Sequence, residues 1–419
     1  MRAGCVALLL FLSASTLSAA QFDGQPITAI SVNGLRDIQE AVVIQQIQSQ
    51  PGRPYLESTA VEDVRRLQRL KVFSEVTIKP VEVETGVRLE ISVIETLRIL
   101  PAVSIGVSDA SGTSIGPALK VLSIAGHPHE VSASVRFGGE GLVELAETSP
   151  FLTNRSLWYS NKLQIRDREN SLDNFTEHSL DFDSRLGRRG SEAWKTGFLF
   201  QTYHLQSVES GHTLSPDHSD LFVGFGGVYE YDTRDSWTTP TRGWWNSVDA
   251  VWHAGEGDYG TVNFDIRRYQ PLTSNQTFVA TALLTLQSGV RGEDVPTYLD
   301  YALGGANTVR GWEFASRRGK DQLIVSLEHR YTLLPTQPFA LKGLNLYGGM
   351  ALAVFADVGS AWNGADDDFS GNAIAGAGVG LRFFVPFVDV IRLDFSVGNG
   401  FHSTVGINDK AVAQRNRVR

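Results

Sequence analysis

From about residue 99 to the end of the chain, apolar and charged side chains alternate one for one, again and again. Leu180, Phe182 and Leu186 interleave with Asp181, Asp183 and Arg185; Val262, Phe264 and Ile266 with Asn263, Asp265 and Arg267. Ile391, Leu393, Phe395 and Val397 do the same with Arg392, Asp394 and Ser396. A period of two sends successive side chains to opposite faces of a strand, so each segment has one apolar and one charged face. About sixteen such segments follow one another without helical cover, many near the ~9–11 residues that cross a bilayer when tilted. A run of ~18 apolar residues, the mark of a membrane helix, is absent beyond the first twenty residues. Strands that cross lipid must close on themselves, because an open edge would leave its peptide groups without partners. The pattern therefore predicts an antiparallel transmembrane β-barrel over residues 97–408. Trp158-Tyr159, Tyr229, Tyr231, Trp244-Trp245 and Trp362 fall near strand ends, where interfacial aromatics belong.

Residues 1–20 read as a secretory signal peptide: Arg2, then the apolar run Val6–Leu12, then Ser18-Ala19-Ala20 before Gln21. Cys5, the one cysteine, lies within it, so the exported chain carries no disulfide and no thiol-based metal or catalytic site. The balance of 37 Lys+Arg against 46 Asp+Glu gives a formal net charge of −9, which does not favour nucleic acid as a partner.

Residues 21–96 have another rhythm. Ile27–Leu35 reads as a strand and Ile38–Gln48 as a helix with Val43, Ile44 and Ile47 on one face. Pro51-Gly52-Arg53-Pro54 breaks it, and Thr59 with Glu62 has capping-box spacing for a second helix carrying Val61, Val64, Leu67 and Leu70. Strands at Glu75–Val83 and Val87–Ile94 close a small α+β unit in the order β-α-α-β-β.

That order, with Pro51, Gly52, Pro54 and Tyr55 between the helices and Leu67, Leu70 and Phe73 before the second strand, resembles a polypeptide-transport-associated (POTRA) domain. In the alternating region three segments carry a further resemblance. They are Tyr231-Asp232-Thr233-Arg234-Asp235 with Pro240 and Gly243, Leu303–Trp312 with its Gly-Gly-x-x-x-Val-Arg-Gly-aromatic pattern, and Phe355–Trp362 with Phe-x-Asp-x-Gly. Together they resemble the BamA/TamA-like outer-membrane assembly and translocation superfamily, whose members carry POTRA domains ahead of a bacterial surface antigen barrel. The resemblance implies a mainly β fold: one POTRA domain, then a barrel of about 16 antiparallel strands. It also implies a periplasmic POTRA domain, a barrel in the bacterial outer membrane, and a functional loop at Val309, Arg310, Gly311 and Trp312 folded back into the lumen. Arg310 is expected to meet acids of the inner wall there. Parity nominates two. Leu352, Val354, Ala356 and Val358 form the apolar face of one strand, so Asp357 points inward; Leu323, Val325 and Leu327 do the same for Glu328. In a wet lumen such a clamp should contribute less than a fully buried pair.

The implied function is protein insertion or protein transport. The partners are outer-membrane lipid and unfolded β-rich client polypeptides, engaged by the POTRA edge and the barrel seam, with periplasmic accessory proteins in support. A dedicated secretion pore for one exoprotein, or a passive small-solute channel, remain alternatives. No enzyme activity, cofactor or metal is expected. Gly112-Thr113-Ser114-Ile115-Gly116 has nucleophile-elbow spacing but lacks the following helix, and reads as a hairpin turn. Gly376–Gly380 is a glycine run without nucleotide-loop spacing and reads as room for a packed loop; His127-Pro128-His129-Glu130 reads as a turn. One POTRA domain is few for the family, which weakens the case for accessory lipoproteins. The last strand is expected at His402–Ile407, after Phe401, followed by a basic C-terminal tail, 409–419.

Overall fold

The computed structural model describes residues 19–150, 157–190, 193–236, 239–341, 344–365, 367–385 and 389–407. The leader as far as Ser18 and the tail 409–419 lie outside the described residues. The chain forms two compact units, one reaching Thr96 and including Ala125–His127, the other comprising Leu97–Ile124 and Pro128 onward.

The smaller unit holds β1 (Ile27–Asn33), α1 (Glu40–Gln46), α2 (Glu57–Gln68), β2 (Phe73–Val83) and β3 (Gly86–Glu95). Its sheet order is β1-β3-β2, with β1 parallel and β2 antiparallel to β3. The helices are needed because a three-stranded sheet has an apolar face to cover: Tyr55 and Ala60 pack on Ile27, Val87 and Leu89. Gly52, at φ +83°, turns the chain so that its N–H donates to the Ile27 carbonyl and Arg53 accepts from the Ile27 N–H. Three expectations change here. Val42, Val43 and Ile47 are the buried positions near α1, while Ile44 is exposed; in α2, Val61 is likewise exposed. Thr59 is not the cap of α2. The helix starts at Glu57, and Asp23, from ahead of β1, accepts the Glu57 N–H at 2.8 Å. A cap from so far away in sequence has no local spacing to reveal it.

The larger unit is a single antiparallel sheet of sixteen strands. In chain order these are β4 (Ile99–Ser108), β5 (Gly112–Ile124), β6 (His127–Gly138), β7 (Gly141–Ser149), β8 (Leu157–Asn170), β9 (Phe175–Arg189) and β10 (Trp194–Ser207). Next come β11 (Ser219–Asp232), β12 (Gly243–Gly255), β13 (Tyr259–Thr273) and β14 (Gln276–Gln287). A long loop containing the short antiparallel pair β15 (Tyr301–Leu303) and β16 (Arg317–Gly319) intervenes before β17 (Asp321–Leu341), β18 (Leu344–Trp362), β19 (Ile374–Val385), β20 (Asp389–Val397) and β21 (Phe401–Ile407). Each strand pairs with its neighbour in sequence, β14 with β17 across the loop, which is the meander expected of an up-and-down barrel. The strands span 7 to 21 residues, a wider range than expected.

The distribution of side chains excludes a water-soluble sandwich. Leu145, Ile165, Phe198, Phe225, Trp252, Val354 and Val405 face outward and are exposed, whereas Glu177, Asp181, His253, Arg267, Arg382 and Asp394 are buried inside. Water would favour the reverse; lipid outside and a polar, paired lumen within favour this one. No described helix is long and apolar enough to cross a membrane, so the crossing is made by strands. Strict alternation also splits the expected aromatic girdle. Trp244 faces outward, but its neighbour Trp245 faces in beneath Arg267, and Trp158 is buried beside the Lys195 ammonium. Ser114 lies inside β5 and His129 inside β6, so the tight turns precede these motifs rather than contain them.

Among the described residues the sheet does not close by pairing. β4 and β21 come within 8 Å of one another, yet among the described residues no backbone ladder joins them. This is the seam of the barrel.

Candidate functional site

The loop between β14 and β17 turns back against the inner wall, and its Arg310 has no exposed surface. The Arg310 Nε donates to Asp357 Oδ2 at 2.7 Å and its Nη2 to Asp357 Oδ1 at 3.0 Å, a two-pronged bond matched to the planar guanidinium. The Arg310 backbone N–H donates to the same carboxylate at 3.1 Å. Its Nη1 lies 3.4 Å from Glu328 and 3.3 Å from Asp394, and the guanidinium carbon sits 3.2 Å over the Phe355 ring. Ser326 donates to Asp357 from the adjacent strand.

The acids are shared with other cations. Arg382 Nη2 donates to Glu328 and its Nη1 to Asp394, both at 2.6 Å; Arg330 reaches Glu328 and Arg392 reaches Asp394. Three carboxylates and four guanidiniums from β17, β18, β19, β20 and the loop thus make one network with nearly balanced charge. Such balance permits burial, since an isolated charge at this depth would be costly. The site is drier than an open lumen would be. Val309, Leu303, Ile324, Ala361 and Ile374 form an apolar cluster beside it, with Trp312 packed against them.

Glycine makes the fit possible. A Cβ at Gly376 would come within 1.9 Å of the Arg310 carbonyl oxygen, and one at Gly311, where φ is +91°, within 2.6 Å of the Val397 peptide. The Trp312 Nε1 donates to the Ala375 carbonyl at 2.7 Å, fixing the last motif residue on the wall.

Of the residues nominated by sequence, Val309, Arg310, Gly311, Trp312, Asp357 and Glu328 all come together. Asp394, Arg382, Arg392, Arg330 and Phe355 were not nominated. Asp394 and Arg392 lie on the charged face of a strand legible from its alternation, but no local signal places that strand next to the loop. The Tyr231–Asp235 motif is elsewhere: Arg234 grips Asp232 in the turn between β11 and β12, and the Asp235 carboxylate accepts the Thr241 and Arg242 N–H groups.

A sixteen-stranded barrel with an apolar exterior and a re-entrant loop held by arginine defines an outer-membrane β-barrel protein. The Omp85 superfamily domain matches residues 124–408, and the chain belongs to that superfamily, the BamA/TamA-like barrels. In structure it is similar to BamA from Haemophilus ducreyi lacking POTRA domains 1–3, with TM-score 0.60 and 15% identity over 91% of this chain and 83% of that one. It is also similar to CdiB from Acinetobacter baumannii, with TM-score 0.56 and 14% identity over 91% and 71%. CdiB from Escherichia coli gives TM-score 0.50 and 10% identity over 94% and 91%. At these identities the likeness is one of fold.

Proposed function

We propose that this protein inserts or translocates client polypeptides at the bacterial outer membrane, using the edges of its seam as a template. The observation that carries the reading is the junction of β4 and β21, which share no ladder among the described residues. Elsewhere in the sheet every strand is hydrogen-bonded on both sides, and an edge with free N–H and C=O groups binds an extended segment of another chain. In lipid such groups gain more from a partner than they would in water. The residues Val309, Arg310, Gly311 and Trp312, with Asp357 and Glu328, hold the loop in its working position. The smaller unit acts as a periplasmic POTRA domain whose outer strand delivers the client, and residues 1–20 act as the export leader. The chemistry is binding and templating, without bond making.

Depletion of the protein, followed by quantitative proteomics of outer membrane and medium, tests this. Loss of several barrel proteins from the membrane is the outcome expected for insertion. Loss of one exoprotein from the medium would make the seam part of a dedicated secretion route. No change in either fraction would overturn client handling in favour of a solute channel.

A further inference from the structure

We infer that the re-entrant loop is also a strap that holds the seam shut at the rim where the loop enters the barrel. This rests on the seam being the client-binding edge, and it names what controls that edge.

The bridge is built on a single residue. The Ala306 N–H donates to Asp109 Oδ2 at 2.9 Å, and Asp109 belongs to the turn that follows β4, the first strand of the barrel. The Ala306 carbonyl accepts from Arg392 Nη1 at 3.2 Å, and Arg392 lies on β20, beside the last strand. One residue is therefore hydrogen-bonded to both flanks of the seam. The neighbouring residues reinforce each side. Gly305, at φ +86°, lies so close to Asp109 that a Cβ there would fall within 2.5 Å of the carboxylate, so only glycine admits this packing. Asn307 Oδ1 accepts from Arg392 Nη2 at 2.7 Å, and the Gly311 carbonyl accepts from the Asn399 N–H at 3.0 Å in the turn between β20 and β21.

The geometry has a mechanical meaning. Because β4 and β21 share no ladder among the described residues, cohesion at this rim comes from the loop. A loop clamped to β17, β18 and β20 through Arg310, and to the β4–β5 turn through Asp109, couples the two edges. Releasing the Asp109 end frees β4 and β5 without disturbing the arginine network. A client entering the seam must break this end first.

The test uses the full chain in lipid nanodiscs, with Cys5→Ser, Thr113→Cys and Phe401→Cys, spin-labelled at the two introduced cysteines near this rim. Pulsed electron–electron distance measurement is then compared for the parent, Asp109→Ala, Asp109→Asn and Gly305→Ala. The amide oxygen of Asp109→Asn can still accept the Ala306 N–H, so that variant should keep the parent distribution. Asp109→Ala should add a longer-distance population, its ratio to the short one rising on the order of tenfold, as expected for loss of one hydrogen bond. A folded Asp109→Ala barrel, judged by heat-modifiable migration, with an unchanged distribution would overturn the strap. Should Asp109→Ala not fold, Gly305→Ala, whose Cβ would displace the Asp109 carboxylate, gives the same reading, and an unchanged distribution there overturns it equally. Client insertion is measured on the same samples. A seam that lengthens while client insertion stays unaltered would leave the strap standing and remove the template role of the seam.

Discussion

Arg310 is held by more than its side chain. Because Asp357 accepts both the guanidinium and the Arg310 backbone N–H, truncation to alanine keeps one bond and removes two, leaving a fully buried carboxylate short of a counter-charge. Breaking a buried pair from one side costs about 3–5 kcal/mol. Arg310→Ala should therefore still form a barrel, but lose its heat-resistant folded band at a clearly lower temperature and lose client handling. Arg310→Lys should recover only part of either, since a point charge cannot reproduce the two-pronged bond to Asp357. Full activity of Arg310→Ala would show that the clamp is dispensable. A second buried acid, Glu95, sits in the smaller unit and accepts the N–H groups of Arg36, Asp37 and Ile38 at 2.8–2.9 Å. Burial pushes its pKa up, but those three N–H groups and the Arg36 charge more than offset this and hold it below the ordinary glutamate value. A lowered folded-state value stabilises the fold above the unfolded value of about 4.3, and the gain is lost as pH falls through the folded one. Glu95→Gln should thus cost about 1–3 kcal/mol near neutrality, and the gap to wild type should shrink as unfolding is measured at progressively more acid pH.

At the scale of elements, the loop and the wall fit as backbone against backbone. Gly376 on β19 is in contact with the Arg310 carbonyl, so Gly376→Val would move the loop without altering any member of the charge network. The expected result is rapid tryptic cleavage at Arg310, Arg317 or Arg318 in the variant and slow cleavage in wild type. Equal cleavage would mean that the wall yields instead. The loop has a second anchorage: Arg318 pairs with Asp173 in the β8–β9 turn and with Asp300 of the loop itself, and Tyr298 donates to Asp220 within an aromatic cluster. The Tyr231–Asp235 segment has a different role, since Gly243 at φ +109° and the Asp235 hydrogen bonds to Thr241 and Arg242 tie together the two ends of the connection between β11 and β12.

For the whole molecule, the weak junction and the continuous wall make a contrast that can be measured. A photo-crosslinking residue placed at Val103, outward on β4, should capture a client during insertion. The same residue at Phe225, outward on β11 halfway around the sheet order, should not. Capture at both positions with equal yield would indicate general adhesion to an apolar surface and count against templating at the seam. The apolar exterior alone does not distinguish the two positions, because both are lipid-facing; only the pairing state of their strands differs.

The alternation of Leu180 with Asp181, or of Phe395 with Asp394, was enough to specify a barrel, because a strand's two faces are separated by its own covalent geometry. The same parity put Asp357 and Glu328 on the inner wall without any knowledge of their neighbours. Asp394, Arg382 and Asp109 could not be reached in that way. Their roles depend on which strands stand side by side around the barrel and on where a long loop comes to rest. Those relations are set by register and packing across many residues of sequence, as with the cap that Asp23 gives α2. Burial of the arginine network was likewise invisible in sequence, since it takes the apolar packing of Val309 with Leu303 and Ile324 to keep water from a lumen otherwise lined with polar groups. Sequence determined which side of each strand is charged; tertiary structure decided which charges meet and, among the described residues, left one junction without a ladder, because hydrogen bonding between strands is a property of neighbours rather than of any one of them.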